Sequence, residues 1–556
     1  MIDQQQSHLL ARLERLNAIG IALSAERDNK RLLEMILLGA QEITNADGGT
    51  LYTITQDKKL KFEMMRNKSL NMSLGGTTGK EIPFLPLPLY LEDGQPNLTT
   101  VAAYATLKNQ TVNIADAYQT ESFDFSGTRK FDEKTGYHSQ SFLTIPMKDH
   151  ESKVIGVLQL INAIDAETGT IVPFSIENQT LVESLASQAA VAMTNHHLID
   201  GLKGLFEAFI ELIADAIDQK SPYTGGHCRR VPELTMMLTQ ALIDAKSGPF
   251  KDFTLNENEL YELKVASWLH DCGKVTTPEA VMDKPTKLSS IFDRIQLVDQ
   301  RFELIKQQAE CAMLKAQIEI LKSGGSNQYV QDRLAEAERK QHAFNTYCDE
   351  AKAFLRQANI GSESMTVADL KRIEEIASME MLDPSGNKVP FLSKDETYNL
   401  SIKRGTLTAE ERQVINNHIV VTINMLESLP YPQSLARVPE YACGHHEHMD
   451  GTGYPKRLTR EQMSIPARVM GIADIFEALT SKDRPYKKAK TLSESLHILG
   501  KMKVDHHIDP DLFDVFIREG IYLKYAKEFL EPEQIDEVDL TKIPGYQPAE
   551  LSMQNG

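Results

Sequence analysis

Two short runs, far apart in the chain, constrain its fold and chemistry more than any other feature. The first is His270-Asp271-Cys272-Gly273-Lys274, and the second extends from His445 to Pro455 with the sequence HHEHMDGTGYP. Neutral imidazole suits first-row transition metals, and one carboxylate can bridge two ions. Together the runs predict a metallohydrolase that holds divalent metals against a phosphate.

The chain is too long for a single hydrophobic core, because it has 556 residues, and two or three domains are expected. No apolar run approaches the roughly 20 residues that a membrane span needs, and the first residues resemble no secretory signal. Five cysteines are dispersed without a CxxC pair, a pattern typical of reduced thiols. These features predict a cytoplasmic protein.

The net charge of −18 and the pI of about 5.4 argue against a protein that binds nucleic acid or anionic membranes, since such a protein presents a basic face. A nuclease is disfavoured for the same reason. A small anionic substrate remains compatible with this charge, because metal ions and a few Lys or Arg residues can reverse the field locally.

Residues from about 28 to 195 alternate between strand and helix patterns. Runs rich in β-branched residues predict two strand pairs, and helical periodicity predicts one helix after them. The predicted pairs are Thr50–Ile54 with Leu60–Met64 and Phe142–Met147 with Val154–Asn162, and the helix covers Glu177–Met193.

This region resembles a GAF domain of the cyclic-nucleotide phosphodiesterase type, on the runs Val112–Tyr118, Ser141–Met147 and Val154–Asn162. The resemblance implies an antiparallel sheet flanked by helices. The signature that accompanies a ligand in that family is Asn-Lys, then Phe, then Asp-Glu; here it is Asn162-Ala163, Phe174 and Glu177-Asn178. A cyclic-nucleotide ligand at Asn162, Phe174 and Glu177 and a dimerising domain without that ligand both remain open.

Apolar residues then repeat at alternating spacings of four and three, which is the periodicity of a coiled coil. They are Leu198, Leu202, Leu205, Phe209, Leu212 and Ala216. The seam covers only about three heptads, so it predicts either a parallel dimer or a helix that packs on the next domain.

The region from Ser221 to about Phe529 is mostly helical by pattern. Five histidines and two aspartates in it are candidate metal ligands: His227, His270, Asp271, His418, His445, His446 and Asp474. His418 lies in a helix that opens with a capping box at Thr408. Asp474 lies on an apolar helix face, where a carboxylate is costly unless it is paired or bound to metal.

Here the chain resembles the HD-GYP phosphodiesterases. The resemblance rests on the first run with Pro278 and Lys284-Pro285, on the second run, and on several later motifs: Ile465-Pro466-Ala467-Arg468, Asp474, Arg484-Pro485-Tyr486 and His507-Ile508-Asp509-Pro510. The resemblance implies an all-α domain and hydrolysis of a cyclic dinucleotide.

Carried over residue by residue, the resemblance implies a binuclear centre. One metal takes His227, His270, Asp271 and Asp474; the other takes Asp271, His418, His445 and His446, with Asp271 bridging. The family's metal is typically iron or manganese. Some members hold a third metal through a glutamate four residues before the first histidine, but this chain has Tyr223 there, so two metals are predicted.

The resemblance also implies substrate contacts. Lys274 holds a phosphate oxygen, Arg484 and Lys487 grip the phosphates or the guanine, and Asp450, Gly453 and Tyr454 come from the second run. Lys487 lacks the planar fork of an arginine. For Tyr454 and Pro455 a role confined to the turn remains equally open.

The chain departs from the family between Lys284-Pro285 and Gly405-Thr406-Leu407-Thr408, where more than a hundred residues intervene. Within this insertion, about 289–400, a heptad run comprises Ile291, Ile295, Val298, Phe302 and Ile305, and Gly324–Asn327 resembles a turn. A projecting helical hairpin is expected. It could serve as a dimer surface, a lid or a partner dock.

The sequence therefore predicts an α+β GAF domain at 1–195, a connecting helix at 196–220 and an all-α HD-GYP domain at 221–545. The predicted activity is hydrolysis of cyclic di-GMP to pGpG, with onward hydrolysis to GMP left open, under control of the GAF domain in a homodimer. A phosphodiesterase for 3',3'-cyclic GMP-AMP and a signalling scaffold without turnover are the alternatives.

Overall fold

The structure is a computed structural model that describes residues 2–220, 226–361, 364–481 and 489–548. The chain divides into two compact units, 1–206 and 207–556. No helix in the described part of the chain combines the length and apolar character that crossing a membrane demands.

The first unit is a sheet with helices, as the sequence predicts. In chain order its elements are α1 (Ile2–Ala25), α2 (Asn29–Thr44), β1 (Ala46–Ile54), β2 (Lys59–Asn67), β3 (Met72–Gly75), β4 (Leu87–Pro88), α3 (Val101–Lys108), β5 (Val112–Ile114), α4 (Ser126–Thr135), β6 (Phe142–Lys148), β7 (Val154–Ile164), β8 (Ile171–Val172) and α5 (Ile176–Lys220).

The strands pair antiparallel throughout, in the order β3-β2-β1-β7-β6-β5, with β4 on β2 and β8 on β7. The two predicted strand pairs are β1–β2 and β6–β7. Side chains alternate across a sheet, and one face of this sheet packs on α2 and the start of α5 in a single buried core. The predicted α+β fold with an antiparallel sheet is confirmed.

The second unit is mainly helical. After the end of α5 its elements are α6 (His227–Ile243), α7 (Glu257–Leu269), α8 (Glu279–Met282), α9 (Ile295–Ser323), α10 (Asn327–Asn359), α11 (Val367–Ala377), β9 (Glu380–Leu382), β10 (Lys388–Pro390), α12 (Lys394–Leu400), α13 (Ala409–Asn416), α14 (His418–Glu427), α15 (Val438–Cys443), α16 (Ile465–Thr480), α17 (Leu492–Val504), α18 (Pro510–Arg518) and α19 (Ile521–Phe529).

A large buried core joins α6 and α16 to α17, α18 and α19. Helix α16 runs through this core with Val469, Ile472, Ala473 and Phe476 fully buried. Because α6 and α16 share one apolar interface, the first residue of α6 and the middle of α16 lie near each other.

The insertion forms the expected hairpin from α9 and α10. Val298, Phe302 and Ile305 of α9 pack in a separate buried cluster with residues of α10, α11 and α12. Ile291, which the heptad prediction included, is 98% exposed and precedes α9, so the buried run starts later than predicted. A two-stranded antiparallel sheet, β9–β10, completes the insertion.

Candidate metal centre

Seven predicted metal ligands come together from five separate parts of the second unit. His227 begins α6, His270 and Asp271 follow α7, and His418 begins α14. His445 and His446 follow α15, and Asp474 lies within α16. Every one is at a helix end or on a buried helix face, so packing of the helices brings the side chains to one place.

The ligands form two groups in which the candidate ligand atoms all lie within 4.8 Å of one another. One group comprises His227, His270, Asp271 and Asp474, and the other comprises Asp271, His418, His445 and His446. These are the two sets that the sequence resemblance implies.

Asp271 belongs to both groups, and each of its oxygens faces one of them. Its Oδ2 lies 3.3 Å from His227 Nε2 and 3.2 Å from His270 Nε2. Its Oδ1 lies 3.2 Å from His418 Nε2 and 4.0 Å from His445 Nε2. This is the arrangement in which one carboxylate can bridge two cations.

Backbone carbonyls determine which nitrogen of three imidazoles carries the proton. Nδ1 of His270, His418 and His445 lies 2.7, 2.5 and 2.6 Å from the carbonyl oxygen three residues earlier. Because a carbonyl only accepts, Nδ1 is the donor. In the neutral form of each ring the lone pair is therefore on Nε2, which faces Asp271.

For His227, the group that accepts a hydrogen bond from Nδ1 is the side chain of Glu477. Its carboxylate accepts from His227 Nδ1 and from Arg230 Nε, the latter at 2.7 Å. Such an outer carboxylate orients a ligating imidazole and makes it more basic. Sequence reasoning missed Glu477, although its position one turn after Asp474 on α16 was a usable signal.

The centre satisfies a direct test of fit to a cation. Within the described residues, His227 Nε2, His270 Nε2, His445 Nε2 and Asp271 Oδ1 are buried and form no hydrogen bond. Native proteins rarely bury polar atoms in this way. Here lone pairs face carboxylate oxygens, an arrangement that a cation between them stabilises.

The charges around the centre favour a cation as well. Burial of His270 favours its neutral ring, but the negative charges of Asp271 and Asp474 outweigh burial and raise the pKa of His270 to about 9. Burial also works against the ionised form of Asp271, yet Lys274 and His270 hold the pKa of that carboxyl well below its usual range. By contrast, burial and the neighbouring His270 lower the pKa of His445 to about 4, so that ring stays neutral.

Gly273 allows the turn after Asp271 to approach α14 closely. A Cβ at this position would lie 2.0 Å from the carbonyl oxygen of His418 and 2.7 Å from the backbone nitrogen of Thr422. The Gly273 N–H donates to Thr422 Oγ1 at 2.9 Å. A side chain at Gly273 would therefore push Asp271 and His418 apart.

The turn of the second run is anchored beside the centre. Glu447 is buried and accepts from the backbone N–H groups of Lys456 and Leu458 at 2.7 and 2.9 Å. The Tyr454 ring stacks on His446 with centroids 4.9 Å apart. Tyr454 thus lies at the centre, whereas a turn-only role was equally open from sequence.

The other predicted substrate residues have different surroundings. Lys274 Nζ contacts Asp271 Oδ2, so it is at the centre. The Asp450 carboxylate accepts from the N–H and hydroxyl of Thr452 in its own exposed turn, and a Cβ on Gly453 would clash with the backbone of Glu447 and His448. Arg484 and Lys487, like Tyr223, lie outside the described residues.

Two known domain families match this chain. A family model described as a GAF domain matches residues 28–193, and one described as an HD domain matches residues 374–512. The chain joins a GAF domain to an HD domain. The HD match includes His418, His445, His446 and Asp474 and begins after the His270-Asp271 pair.

Curated relatives match the HD part. A cyclic di-GMP phosphodiesterase of Pseudomonas aeruginosa is 38% identical over 22% of this chain and 28% of its own length. A 3'3'-cGAMP-specific phosphodiesterase of Vibrio cholerae is 35% identical over 21% and 26%. The cyclic di-GMP phosphodiesterase response regulator RpfG of Xanthomonas campestris is 32% identical over 26% and 37%. The chain spans only about a quarter to a third of the length of these relatives.

Solved GAF domains match the first unit. One, from an Acinetobacter phosphoenolpyruvate-protein phosphotransferase, is 15% identical, covers 34% of this chain and 98% of that domain, and has a TM-score of 0.26.

The three residues predicted to contact a ligand in the GAF domain have separate surroundings. The Asn162 amide is buried and bonds within the domain to Gln140, Ser141, Tyr137 and His138. Phe174 is buried in the main core, and Glu177 is exposed in the first turn of α5. These contacts describe fold-supporting roles for Asn162 and Phe174, and the ligand prediction remains a prediction.

Proposed function

We propose that the chain is a metal-dependent phosphodiesterase that hydrolyses cyclic di-GMP to pGpG. The observation that carries this proposal is the pair of four-residue ligand groups that share Asp271. The names of relatives that match the HD part, cyclic di-GMP and 3'3'-cGAMP phosphodiesterases, support a cyclic dinucleotide as substrate.

In this proposal two divalent cations occupy the two groups, with His227, His270 and Asp474 on one side of Asp271 and His418, His445 and His446 on the other. Imidazole and carboxylate ligands fit iron or manganese. When bound, such a pair of cations lowers the pKa of water and neutralises phosphoryl charge during in-line attack. The absence of a glutamate at Tyr223 supports two ions and a pGpG end-point.

The protein's own groups position the substrate. Lys274 is half-buried next to Asp271. Burial disfavours its charged form, but the Asp271 carboxylate raises the pKa of Lys274, so that the side chain stays charged. An ammonium held there is placed to donate to a phosphate oxygen. Tyr454, stacked on His446, walls one side of the centre. Arg484 and Lys487 are proposed to contact the phosphates or the guanine, and Asp450 and Gly453 to shape the turn that approaches the substrate.

The second candidate substrate is 3',3'-cyclic GMP-AMP. Three Vibrio cholerae relatives of 34 to 36% identity are named 3'3'-cGAMP-specific phosphodiesterases, at the same level of similarity as the cyclic di-GMP enzymes. A scaffold without turnover is the third alternative. The complete ligand set argues against it.

We also propose that the protein is a homodimer in the cytoplasm, with a small ligand of the GAF domain as regulator. The seam residues Leu198, Leu202, Leu205, Phe209 and Leu212 of α5 are 54 to 66% exposed, while Ile210, Ala214 and Ile217 on another face of the helix are buried. A second copy of α5 in parallel is the partner that this heptad spacing fits. The five free thiols support a reducing compartment.

The dimer is tested by Leu205→Glu. We expect this change to shift the protein from dimer to monomer in analytical ultracentrifugation, because it places a charge in the seam. Ile176→Glu, on the same helix but outside the seam and 72% exposed, is the matched control. If the Leu205→Glu protein stayed dimeric, the seam of α5 would not be the dimer interface.

The activity is tested by turnover of cyclic di-GMP, with the anaerobically purified protein loaded with iron or manganese and the product nucleotides resolved. Asp271→Ala is the control. Hydrolysis that ends at pGpG and is lost in the variant supports the proposal. If metal binds but cyclic di-GMP stays intact, 3',3'-cyclic GMP-AMP is assayed next, and failure with both substrates leaves the scaffold.

A further inference from the structure

A cleft lies where the insertion returns to the HD domain, and none of the candidate metal ligands lines it. Its volume is about 370 Å³, near the lower end of the range for small-molecule sites. Five polar side chains and three apolar ones line it: Lys403, Arg404, Arg412, Gln413 and Asn416, with Ile402, Leu407 and Ala409.

Three of these side chains are cations without a carboxylate partner among the described residues. The two acids of α13 are engaged elsewhere: Glu410 accepts from the Tyr398 hydroxyl at 3.0 Å, and Glu411 pairs with Lys284 at 2.8 Å. Like charges gathered in one cleft repel each other. Although the whole chain carries a net charge of −18, this cleft has a local positive excess, which would attract an anion.

We propose that this cleft binds a phosphate-bearing nucleotide. Arg404 and Arg412 have the planar fork that matches phosphate oxygens in pairs, and Lys403 adds a point charge. Gln413 and Asn416 offer amide donors and acceptors for a base or sugar, and Leu407 offers an apolar surface. The volume suits one nucleotide unit.

The cleft is connected to the metal centre through α13. Arg412 and Asn416 lie on the helix that also contains Ile415, whose carbonyl oxygen is 2.5 Å from His418 Nδ1. A ligand that immobilises α13 therefore immobilises the group that orients His418. This gives a nucleotide in the cleft a route to influence the metal centre, independently of which cyclic dinucleotide is hydrolysed.

The experiment is calorimetric titration of the full chain with GMP, pGpG and inorganic phosphate at constant ionic strength. The test variant is Arg404→Gln/Arg412→Gln, both exposed positions. The matched control is Arg333→Gln/Arg339→Gln, which removes the same charge from exposed positions on α10. We expect nucleotide binding to weaken by about tenfold or more in the test variant and to stay unchanged in the control.

The ligands and the kinetics distinguish the source of the phosphate. Tighter binding of pGpG than of GMP, with KM unchanged in the test variant, identifies a product-binding regulatory site. A raised KM at constant kcat places the substrate itself in the cleft. Equal binding of all three probes would contradict the nucleotide proposal, because the base and sugar would then add nothing to the affinity.

Two further results would overturn the inference: binding as in the wild type by the test variant, or no binding of any probe up to about 1 mM. Lys403→Gln gives a second check, because it should weaken binding less than the double change. Titration measures binding without turnover. A protein that binds nucleotide but hydrolyses neither cyclic dinucleotide would therefore contradict the proposed activity without contradicting the proposed nucleotide site.

Discussion

The Asn162 network of the GAF domain and the candidate metal centre of the HD domain are both buried and polar, but they differ in how far their polar atoms are hydrogen-bonded. In the GAF domain, Asn162 accepts from two backbone N–H groups at 2.8 and 3.2 Å and donates to Tyr137 and His138 at 3.0 and 2.7 Å. At the metal centre, three imidazole nitrogens and one oxygen of Asp271 are buried without any hydrogen bond.

This difference distinguishes buried polar groups whose hydrogen bonds stabilise the fold from buried polar groups that are free to bind a ligand. A buried polar group that is fully bonded recovers the cost of leaving water, and one that is not bonded costs about 1–3 kcal/mol. Every hydrogen-bonding position of the Asn162 amide is occupied, and the network joins β7 to the loop that precedes β6. At the candidate metal centre the unbonded nitrogen and oxygen atoms lie beside two carboxylates, Asp271 and Asp474, where a cation would be attracted.

The largest effect is expected from His445→Ala. This change removes an Nε2 atom that forms no hydrogen bond in the fold, so metal content and turnover should fall, turnover by about 100-fold or more. Added manganese should stabilise the wild type by mass action and the variant much less. Metal analysis, turnover and melting with and without chelator measure these quantities. If the chelated variant melted far below the chelated wild type, His445 would belong with the structural groups.

The opposite result is expected from Asn162→Ala. It removes four hydrogen bonds and places alanine at a φ of 58°, so we expect about 3 kcal/mol of destabilisation of the GAF domain. The single tryptophan, Trp268, lies in α7. Far-UV circular dichroism should therefore show an earlier transition that tryptophan fluorescence does not share.

Asn162→Gly is the control for this prediction. Glycine accepts a positive φ, so the difference between the two variants isolates the strain of alanine, of order 1 kcal/mol. An Asn162→Ala protein as stable as the wild type would show that the network is dispensable and would reopen Asn162 as a ligand residue.

Much of the fold and the ligand set could be predicted because the information is local. Strand pairs β1–β2 and β6–β7 follow from runs of β-branched residues, and adjacent His-Asp and His-His pairs need no tertiary knowledge. The strands β9 and β10 have three residues each, which is too short for a periodicity to appear.

The parts of the site that sequence reasoning missed depend on tertiary contacts. Glu447 lies inside the second run and Glu477 lies one turn after Asp474. Their partners, two backbone N–H groups just after the run and the ring of His227, are set by the path of a turn and by helix packing. The orientation of Asp450 is decided by Thr452 in the same turn, a competition that residue identity alone does not resolve.

Glu477→Gln should have a smaller effect than loss of a ligand. The amide keeps the size of the side chain but weakens its hydrogen bond to His227 and its pairing with Arg230, so we expect metal affinity to fall about 10-fold to 100-fold. Titration with manganese measures the change. Glu279→Gln, at an exposed position of α8, is the matched control, and equal affinities in the two variants would deny Glu477 a role in orienting His227.

Lys287 is intermediate between the fully hydrogen-bonded and the unbonded buried groups. Of the changes considered, Lys287→Met should have the smallest effect. Its ammonium is fully buried, donates to the carbonyl oxygen of Leu400 at 3.0 Å and contacts the sulfur of Met365. Burial lowers the pKa of Lys287 to about 8. At pH 7 the folded protein therefore carries a poorly solvated charge, and replacing it with methionine should raise the free energy of unfolding by about 1 kcal/mol.

The pH dependence has a definite sign. The unfolded chain holds the Lys287 proton up to about pH 10.5, whereas the folded chain releases it near pH 8, so wild-type stability gains a rising contribution between these values. The advantage of Lys287→Met should therefore shrink from pH 8 upward. Denaturant unfolding of both proteins at pH 7 and pH 9.5 measures it. An advantage that stays constant would mean that the hydrogen bond to Leu400 already compensates the charge, which would place Lys287 with the satisfied groups of the GAF domain.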